Sequence, residues 1–322
     1  MKVFMVGEAA SHIAQLAVHI PDSVELVPWP REAAYTDTFD SQVGAEDCVV
    51  SLRFTRTGGV MPDFRLLHVP GAGLDGIDLG NVPDSCTVCN VFEHEIPIAE
   101  FVMLSMLEWE IRSREMRIGF TARTWSDRYR HRQPHGELYG KTLALIGLGR
   151  IGRAIARRAR VFGVRVIAVD GTSTYANEVD GFYLAKDFGK VLPQADFIAV
   201  TCPLTDSTKG LFGEQAFARM KSTSVFINVS RAPIADEHAL YVALRDRLIA
   251  GAILDVWYRY PTDESQAVPP SGEPLLDLPN VVATPHSSAW SASLPARRYA
   301  VIGQNITRLL KGEPLVNVVR SR

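Results

Sequence analysis

Cysteine is scarce in this chain: four residues, Cys48, Cys86, Cys89 and Cys202, among 322. That is too few for a disulfide framework at this length. Cys86-Thr-Val-Cys89 has a CxxC spacing, but no second pair and no neighbouring histidine accompanies it, so the two are read as buried strand thiols and no metal is expected. An excess of one charge is also lacking. Lys and Arg number 34 against 36 Asp and Glu, a net charge of −2, which argues against nucleic acid as the main partner because phosphate backbones select strongly basic surfaces. No uncharged apolar stretch approaches the ~20 residues needed to cross a bilayer, so no membrane partner is expected. The opening run Met1-Lys-Val-Phe-Met-Val-Gly7 is too short for a signal peptide and reads as a first strand, so a cytoplasmic protein is expected. Repeats and low-complexity segments are missing as well, and only Tyr260 to Pro274 is Pro- and Ser-rich and loop-like.

What is present is an ordinary globular composition, 47% hydrophobic and 22% charged, in a chain longer than one average core; two domains are the natural expectation. The Arg-rich stretch Arg112 to Arg132 reads as a solvated helix face and loop. The segment 143–170, LALIGLGRIGRAIARRARVFGVRVIAVD, carries the strongest pattern. An apolar run, Leu143 to Ile146, reads as a buried parallel strand. Gly147-x-Gly149-x-x-Gly152 makes the turn, Arg153 to Phe162 has helical spacing, and Val164 to Val169 is a second apolar run ending in Asp170. Gly147 suits the tight turn, Gly149 lets backbone approach a pyrophosphate, and Gly152 lets helix and strand pack closely. The helix N-terminus offers free N–H groups and a positive dipole end to phosphates, and Arg150 and Ile151 within the glycine motif are expected to contact the cofactor. Asp170 lies 18 residues after Gly152, where a carboxylate can accept from both adenosine ribose hydroxyls. A 2′-phosphate there would meet like charge, and Gly171-Thr-Ser173 offers no cation, so the expected cofactor is NAD.

Around this unit the chain alternates. Strands are expected near Lys2–Val6, Val24–Leu26, Cys48–Ser51, Leu66–Val69 and Val88–Asn90, a small α/β unit of its own. A helix is expected over Ile98–Arg117, with Phe101, Leu104, Met106 and Leu107 as its apolar stripe and Pro97 in its first turn. Beyond Asp170, strands are expected at Phe197–Thr201, Val225–Val229, Ala252–Val256 and Val281–Ala283, with helices Gly213–Arg219 and Ile234–Asp246 between them. That order implies a doubly wound parallel sheet, a Rossmann-type α/β domain. Sites in such sheets gather at the carboxyl ends of strands, so Asp170, Cys202, Ser230-Arg231, Asp255-Val256 and His286 should converge. A final helix, Pro295 to Leu310, is long enough to return to the first unit.

With those strand ends in view, the chain resembles the D-isomer-specific 2-hydroxyacid dehydrogenases, a family that includes glyoxylate/hydroxypyruvate reductases and formate dehydrogenase. The motifs are Gly71-Ala-Gly-Leu-Asp75, Gly147-Leu-Gly-Arg-Ile-Gly152, Cys202-Pro-Leu-Thr-Asp-Ser-Thr208, Asn228-Val-Ser-Arg-Ala-Pro-Ile-Ala-Asp-Glu237, Gly251-Ala-Ile-Leu-Asp-Val256 and Thr284-Pro-His286. The resemblance implies an NAD-binding domain at 96–286 and a discontinuous, flavodoxin-like α/β substrate domain at 1–95 and 287–322. Reducing a 2-oxo acid leaves negative charge on the carbonyl oxygen, so a cation and a proton donor must sit beside it. Arg231 can fork to the substrate carboxylate and polarise the carbonyl, and His286 can supply the proton; the matching residues of the family have these roles. The loop Ala72-Gly73-Leu74 can hold a carboxylate on backbone N–H groups. By the same resemblance Asp255 orients the nicotinamide amide, and Val229 and Ser230 contact that ring. Cys202 and Pro203 lie beside the adenosine ribose, Thr208 near the phosphates, and Trp290 walls the substrate pocket.

Two positions depart from the family pattern. Where a Glu normally pairs with the catalytic His, this chain has Tyr260; Ala232 replaces the Gly that normally follows the Arg. A neutral phenol should leave the His286 pKa lower than a Glu would, unless Glu95, Asp263 or Glu264 swings in. The first reading is an NAD-dependent dehydrogenase of a small 2-hydroxy/2-oxo acid, glyoxylate- or hydroxypyruvate-like. A formate-type dehydrogenase and an NAD-sensing interaction module, like the family's corepressor relatives, are the alternatives. The resemblance also implies a homodimer formed through the helix and loop before the nucleotide unit, where Trp109 and Trp125 lie.

Overall fold

The computed structural model describes residues 1–56, 59–172, 174–261 and 267–321. Two compact units share the chain: Met1–Glu93 with Ala292–Arg322, and His94–Ser291. In the first, β1 (Lys2–Val6), α1 (Ile13–Ala17), β2 (Glu25–Trp29), β3 (Cys48–Val50), β4 (Leu66–His68) and β5 (Thr87–Cys89) alternate with turns and short 3-10 segments. In the second, α2 (Glu95–Ile111), α3 (Ser113–Arg117) and α4 (Trp125–Arg130) precede β6 (Thr142–Ile146), α5 (Arg150–Val161) and β7 (Arg165–Asp170). There follow β8 (Gly181–Leu184), α6 (Phe188–Val191), β9 (Phe197–Val200), α7 (Glu214–Arg219), β10 (Val225–Asn228), α8 (Glu237–Arg245), β11 (Gly251–Leu254) and β12 (Val281–Ala283). The chain then re-enters the first unit with α9 (Leu294–Lys311) and β13 (Val318–Arg320).

The first sheet has the order β13-β5-β4-β3-β1-β2, parallel except for β13, which runs antiparallel to β5. Its inner strands β1, β3 and β4 are buried along nearly their whole length because both faces are covered. Met5 and Val3 pack with Leu16, Ile302 and Ile306 on one side, while Phe4 and Val6 pack with Trp29, Phe54 and Phe64 on the other. Cys48, Cys86 and Cys89 are buried free thiols, and burial pushes the last two up to about 12. His68 is fully buried; its Nε2 lies 3.0 Å from Asn305 Nδ2, which also donates to Val316 O.

The second sheet is parallel throughout, in the order β12-β11-β10-β9-β6-β7-β8. Alternate residues of β6 serve opposite layers, as the two-residue strand period requires. Leu143 and Leu145 pack with α2 and α5, and Ala144 and Ile146 pack with Phe217 and Leu240 from α7 and α8. Strand order reverses between β6 and β9, the switch point where ligands bind in doubly wound sheets.

The α/β class and the doubly wound sheet expected from sequence are present, but the helix before the sheet differs. The single helix expected over 98–117 is two: Arg112 adopts a left-handed conformation (φ 55°) and separates α2 from α3. The buried face of α2 is Ile98, Ala99, Val102, Met103 and Met106, and Leu104, expected in the stripe, is 63% exposed. The segment is apolar nearly all round, so its pattern does not mark which face meets α5. Among the described residues no helix is long and apolar enough to cross a membrane, and no group of three or more His, Cys, Asp or Glu residues could hold a metal.

Candidate active site

At the switch point the chain turns from β6 into α5 through the glycine loop. Gly147 sits at φ +107°, and a Cβ there would stand 2.6 Å from the backbone N of Cys202. Only glycine fits this crossing. Around a Cβ built on Gly149 there is nothing within 4 Å, so the backbone at the start of α5 faces open space, the cradle a pyrophosphate needs. Asp170, ending β7, accepts the Leu148 N–H (2.6 Å) on one carboxylate oxygen and the Thr172 N–H (3.1 Å) on the other. A carboxylate has roughly four acceptor sites, so two remain for ribose hydroxyls. The residues present therefore fit a nicotinamide dinucleotide. α5 begins at Arg150, three residues before the helix start expected from sequence, so Arg150 and Ile151 stand in its first turn, while Thr208 Oγ donates to Pro203 O (2.7 Å) within its own turn.

Two strands along, Asn228 ends β10 and folds the next three residues back. Its Oδ1 accepts the Ser230 N–H (3.1 Å), and its Nδ2 donates to Arg231 O (3.1 Å). Ser230 Oγ donates to Cys202 O, tying the ends of β9 and β10 together beside buried Val229. Arg231 leaves this clamp in extended backbone, before the 3-10 turn Ala232–Ile234, with Nη1 on Ser230 O (2.9 Å). Ala232 at the departed position is buried.

Asp255, just past β11, is 0% exposed, and its charge is held by the segment after β12. One oxygen accepts from Thr284 Oγ (2.6 Å) and the Ser287 N–H (2.8 Å), the other from the Ser288 N–H (2.9 Å). Between those anchors stands His286, in a left-handed conformation at φ 56°. Trp257 braces the same segment by donating its indole N–H to Thr284 O (2.9 Å). Tyr260, three residues on, accepts the Trp257 backbone N–H (3.1 Å) and places its hydroxyl 2.9 Å from His286 Nδ1. Burial, reinforced by the Arg231 charge, holds the imidazole below the usual histidine range, against an opposing pull from Asp255. Burial raises the Tyr260 phenol, so it stays neutral.

Asp170, Cys202, Ser230-Arg231, Asp255 and His286 thus all stand at strand ends of the second unit. Tyr260, His286 and Trp290 line one cavity of about 740 Å³. Asp255 is enclosed by its three donors rather than presented to a ligand. Ala72, Gly73 and Leu74 lie in the first unit, on the loop after β4, where Ala72 O accepts from Asn90 Nδ2 (3.0 Å). Glu95 opens α2 with Oε2 buried, while Asp263 and Glu264 lie outside the described residues. Sequence reasoning missed Asn228, Trp257, Thr284 and Ser288 as supports. Asn228 and Thr284 are inside the quoted motifs, but the partners of Trp257 and Ser288 lie 27 and 33 positions away.

Residues 103–288 match the model of the D-isomer specific 2-hydroxyacid dehydrogenase NAD-binding domain. The chain is 37% identical over 185 residues to a glyoxylate reductase from Korarchaeum cryptofilum, covering 57% of this chain and 53% of that one. It is 32% identical over 267 residues to glyoxylate/hydroxypyruvate reductase B of Salmonella gallinarum, covering 80% and 79%. Among solved structures it is similar to D-lactate dehydrogenase with NAD+ from Lactobacillus jensenii, at TM-score 0.75 and 27% identity, covering 100% of both chains. For several of the curated relatives it matches, the chain spans only about half of their length.

Proposed function

Because the chain belongs to the D-isomer-specific 2-hydroxyacid dehydrogenase family, we propose that it interconverts a 2-oxo acid and the corresponding 2-hydroxy acid with NAD. The observation that carries this reading is the strand-end cluster in which Arg231 acts electrostatically on His286, whose ring is oriented by Tyr260. A dinucleotide would lie along Gly147–Gly152 with Asp170 on its adenosine ribose; when bound, it supplies or takes the hydride. Arg231 holds the substrate carboxylate and polarises the carbonyl, a planar two-point task suited to guanidinium.

Tyr260 occupies Nδ1 of His286, so Nε2 is the atom that gives the proton to the carbonyl oxygen and takes it back in oxidation. The phenol can donate to Nδ1 of the neutral ring and accept from Nδ1–H of the cationic ring. It keeps the imidazole oriented in both states without adding charge. Asp255 holds the 284–288 segment that carries the ring. We assign carboxylate binding on backbone N–H groups to the loop Ala72-Gly73-Leu74, and the nucleotide to the second unit.

Glyoxylate and hydroxypyruvate, the substrates in the relatives' names, are the acids that the resemblance brings forward for test, and a cytoplasmic homodimer is the proposed form. Phe120, Trp125 and Tyr129 form an exposed aromatic cluster before β6 that suits a C2 contact, whereas Trp109 packs into its own core. Loss of reduced-nicotinamide absorbance with a panel of 2-oxo acids tests the activity. Turnover of formate with NAD+ alone would favour the formate reading. Turnover of none of them would favour an NAD-sensing module.

A further inference from the structure

The cavity that Tyr260 and His286 line measures about 740 Å³. That lies within the roughly 300–1,000 Å³ typical of sites for drug-sized organic molecules, and a two-carbon acid fills little of it. Its walls are apolar over most of their extent, built from Trp257, Val268, Pro270, Leu276, Ala289 and Trp290. The polar groups in the lining are largely committed. Tyr260 and His286 face each other and the Trp257 indole N–H is spent on Thr284 O, while exposed Arg259 stands in the lining beside Gly272. Away from Arg259, a hydroxyl on the substrate would find few partners on these walls. A hydrocarbon group would displace weakly held water and gain from burial.

We propose that the substrate is a 2-oxo acid with a branched or aromatic hydrocarbon side chain, seated in this cavity while its carbonyl stands at His286. The inference rests on the dehydrogenase reading and narrows its substrate class. Trp290, 80% exposed at the rim, is placed to close over such a side chain. Each methylene buried should raise kcat/KM about fourfold, so even partial seating of a four-carbon chain exceeds tenfold.

The test compares kcat/KM for 4-methyl-2-oxopentanoate and phenylpyruvate with that for glyoxylate and hydroxypyruvate, all with NADH. The expected result is at least a tenfold advantage for the two larger acids. In Ala289→Phe, whose ring enters the cavity, the ratio of larger to smaller substrate should fall at least tenfold. In the wild-type chain 4-methylpentanoate should quench the tryptophan fluorescence to which Trp257 and Trp290 contribute, a binding readout independent of turnover. Turnover of glyoxylate as efficient as that of the larger acids overturns the side-chain inference and leaves the dehydrogenase reading standing. Turnover of no 2-oxo acid overturns the reading beneath it. Should Ala289→Phe not fold, the wild-type ratio still decides.

Discussion

The hydroxyl of Tyr260 stands 2.9 Å from Nδ1 of His286, and on its other side it receives the backbone N–H of Trp257 at 3.1 Å. The imidazole is thus oriented by a neutral partner while burial and the Arg231 charge lower its pKa. Reduction needs the protonated ring, so its rate falls as pH rises through the His286 pKa, below the usual value of about 6.5. In Tyr260→Glu an anion beside the ring favours the charged form and should move this alkaline limb upward by about a unit or more. A kcat/KM profile against pH checks it; an unmoved limb in a folded variant would mean that position 260 does not control the ring.

Arg231→Lys retains the charge and loses the planar fork. Its kcat/KM for a 2-oxo acid should drop more than tenfold, ~1.4 kcal/mol or more of transition-state stabilisation, with NADH affinity nearly unchanged. Steady-state kinetics beside a calorimetric NADH titration separate the two quantities. Equal kcat/KM would make this arginine structural.

Cofactor choice follows from Asp170 and from where the nearby cation is spent. Arg153 is paired with Glu178 (3.2 Å) and lies 3.7 Å over the Tyr175 ring, so it is already engaged. NAD should be used at least tenfold better than NADP, and Asp170→Ser should narrow the gap without abolishing activity. Solved structures of similar fold hold NADP or NADPH, which makes the comparison informative. Equal efficiency with both cofactors would remove Asp170 from this role.

Acid should weaken the first unit through His68. Burial lowers its pKa to about 4. The unfolded chain, with an ordinary histidine near 6.5, therefore binds more protons than the folded one between those values. Stability is full above about pH 6.5 and is lost as pH falls toward about 4, by up to ~3 kcal/mol. Urea melts at pH 7 and 4.5 read this loss, and His68→Gln should make it smaller. A variant as acid-sensitive as the parent would point to another group.

Light scattering at micromolar concentration should report a dimer, and Trp125→Ser with Tyr129→Ser should shift it toward monomer. Parent and variant both running as monomers would show that the aromatic cluster has another use.

The glycine turn, its flanking strands and Asp170 were legible because their spacing is local and each residue type answers a backbone need. The adjacency of position 260 to His286 was legible only through the family resemblance, because no local pattern links the residue five places after Asp255 to the segment after β12. The burial of Asp255 was not, since its three donors come from 284–288, across a strand pairing that sequence does not display. Leu104 was misplaced because α2 offers apolar residues on every side. The strand β8 went unread because Gly181-Phe-Tyr-Leu184 is short and only partly covered.

β13 completes the first sheet antiparallel to β5, although roughly 230 residues separate them in sequence and the whole second unit lies between. Synthesis from the N-terminus therefore releases β5 long before its edge partner exists. At ~5–20 residues per second the delay is about 10–50 s. The contiguous second unit can finish folding within that interval, while the first waits with an unpaired strand edge of the kind that recruits other chains. Yield of native protein should thus depend on what shields β5 on the ribosome, a kinetic hazard set by the order of the chain rather than by the stability of the finished sheet.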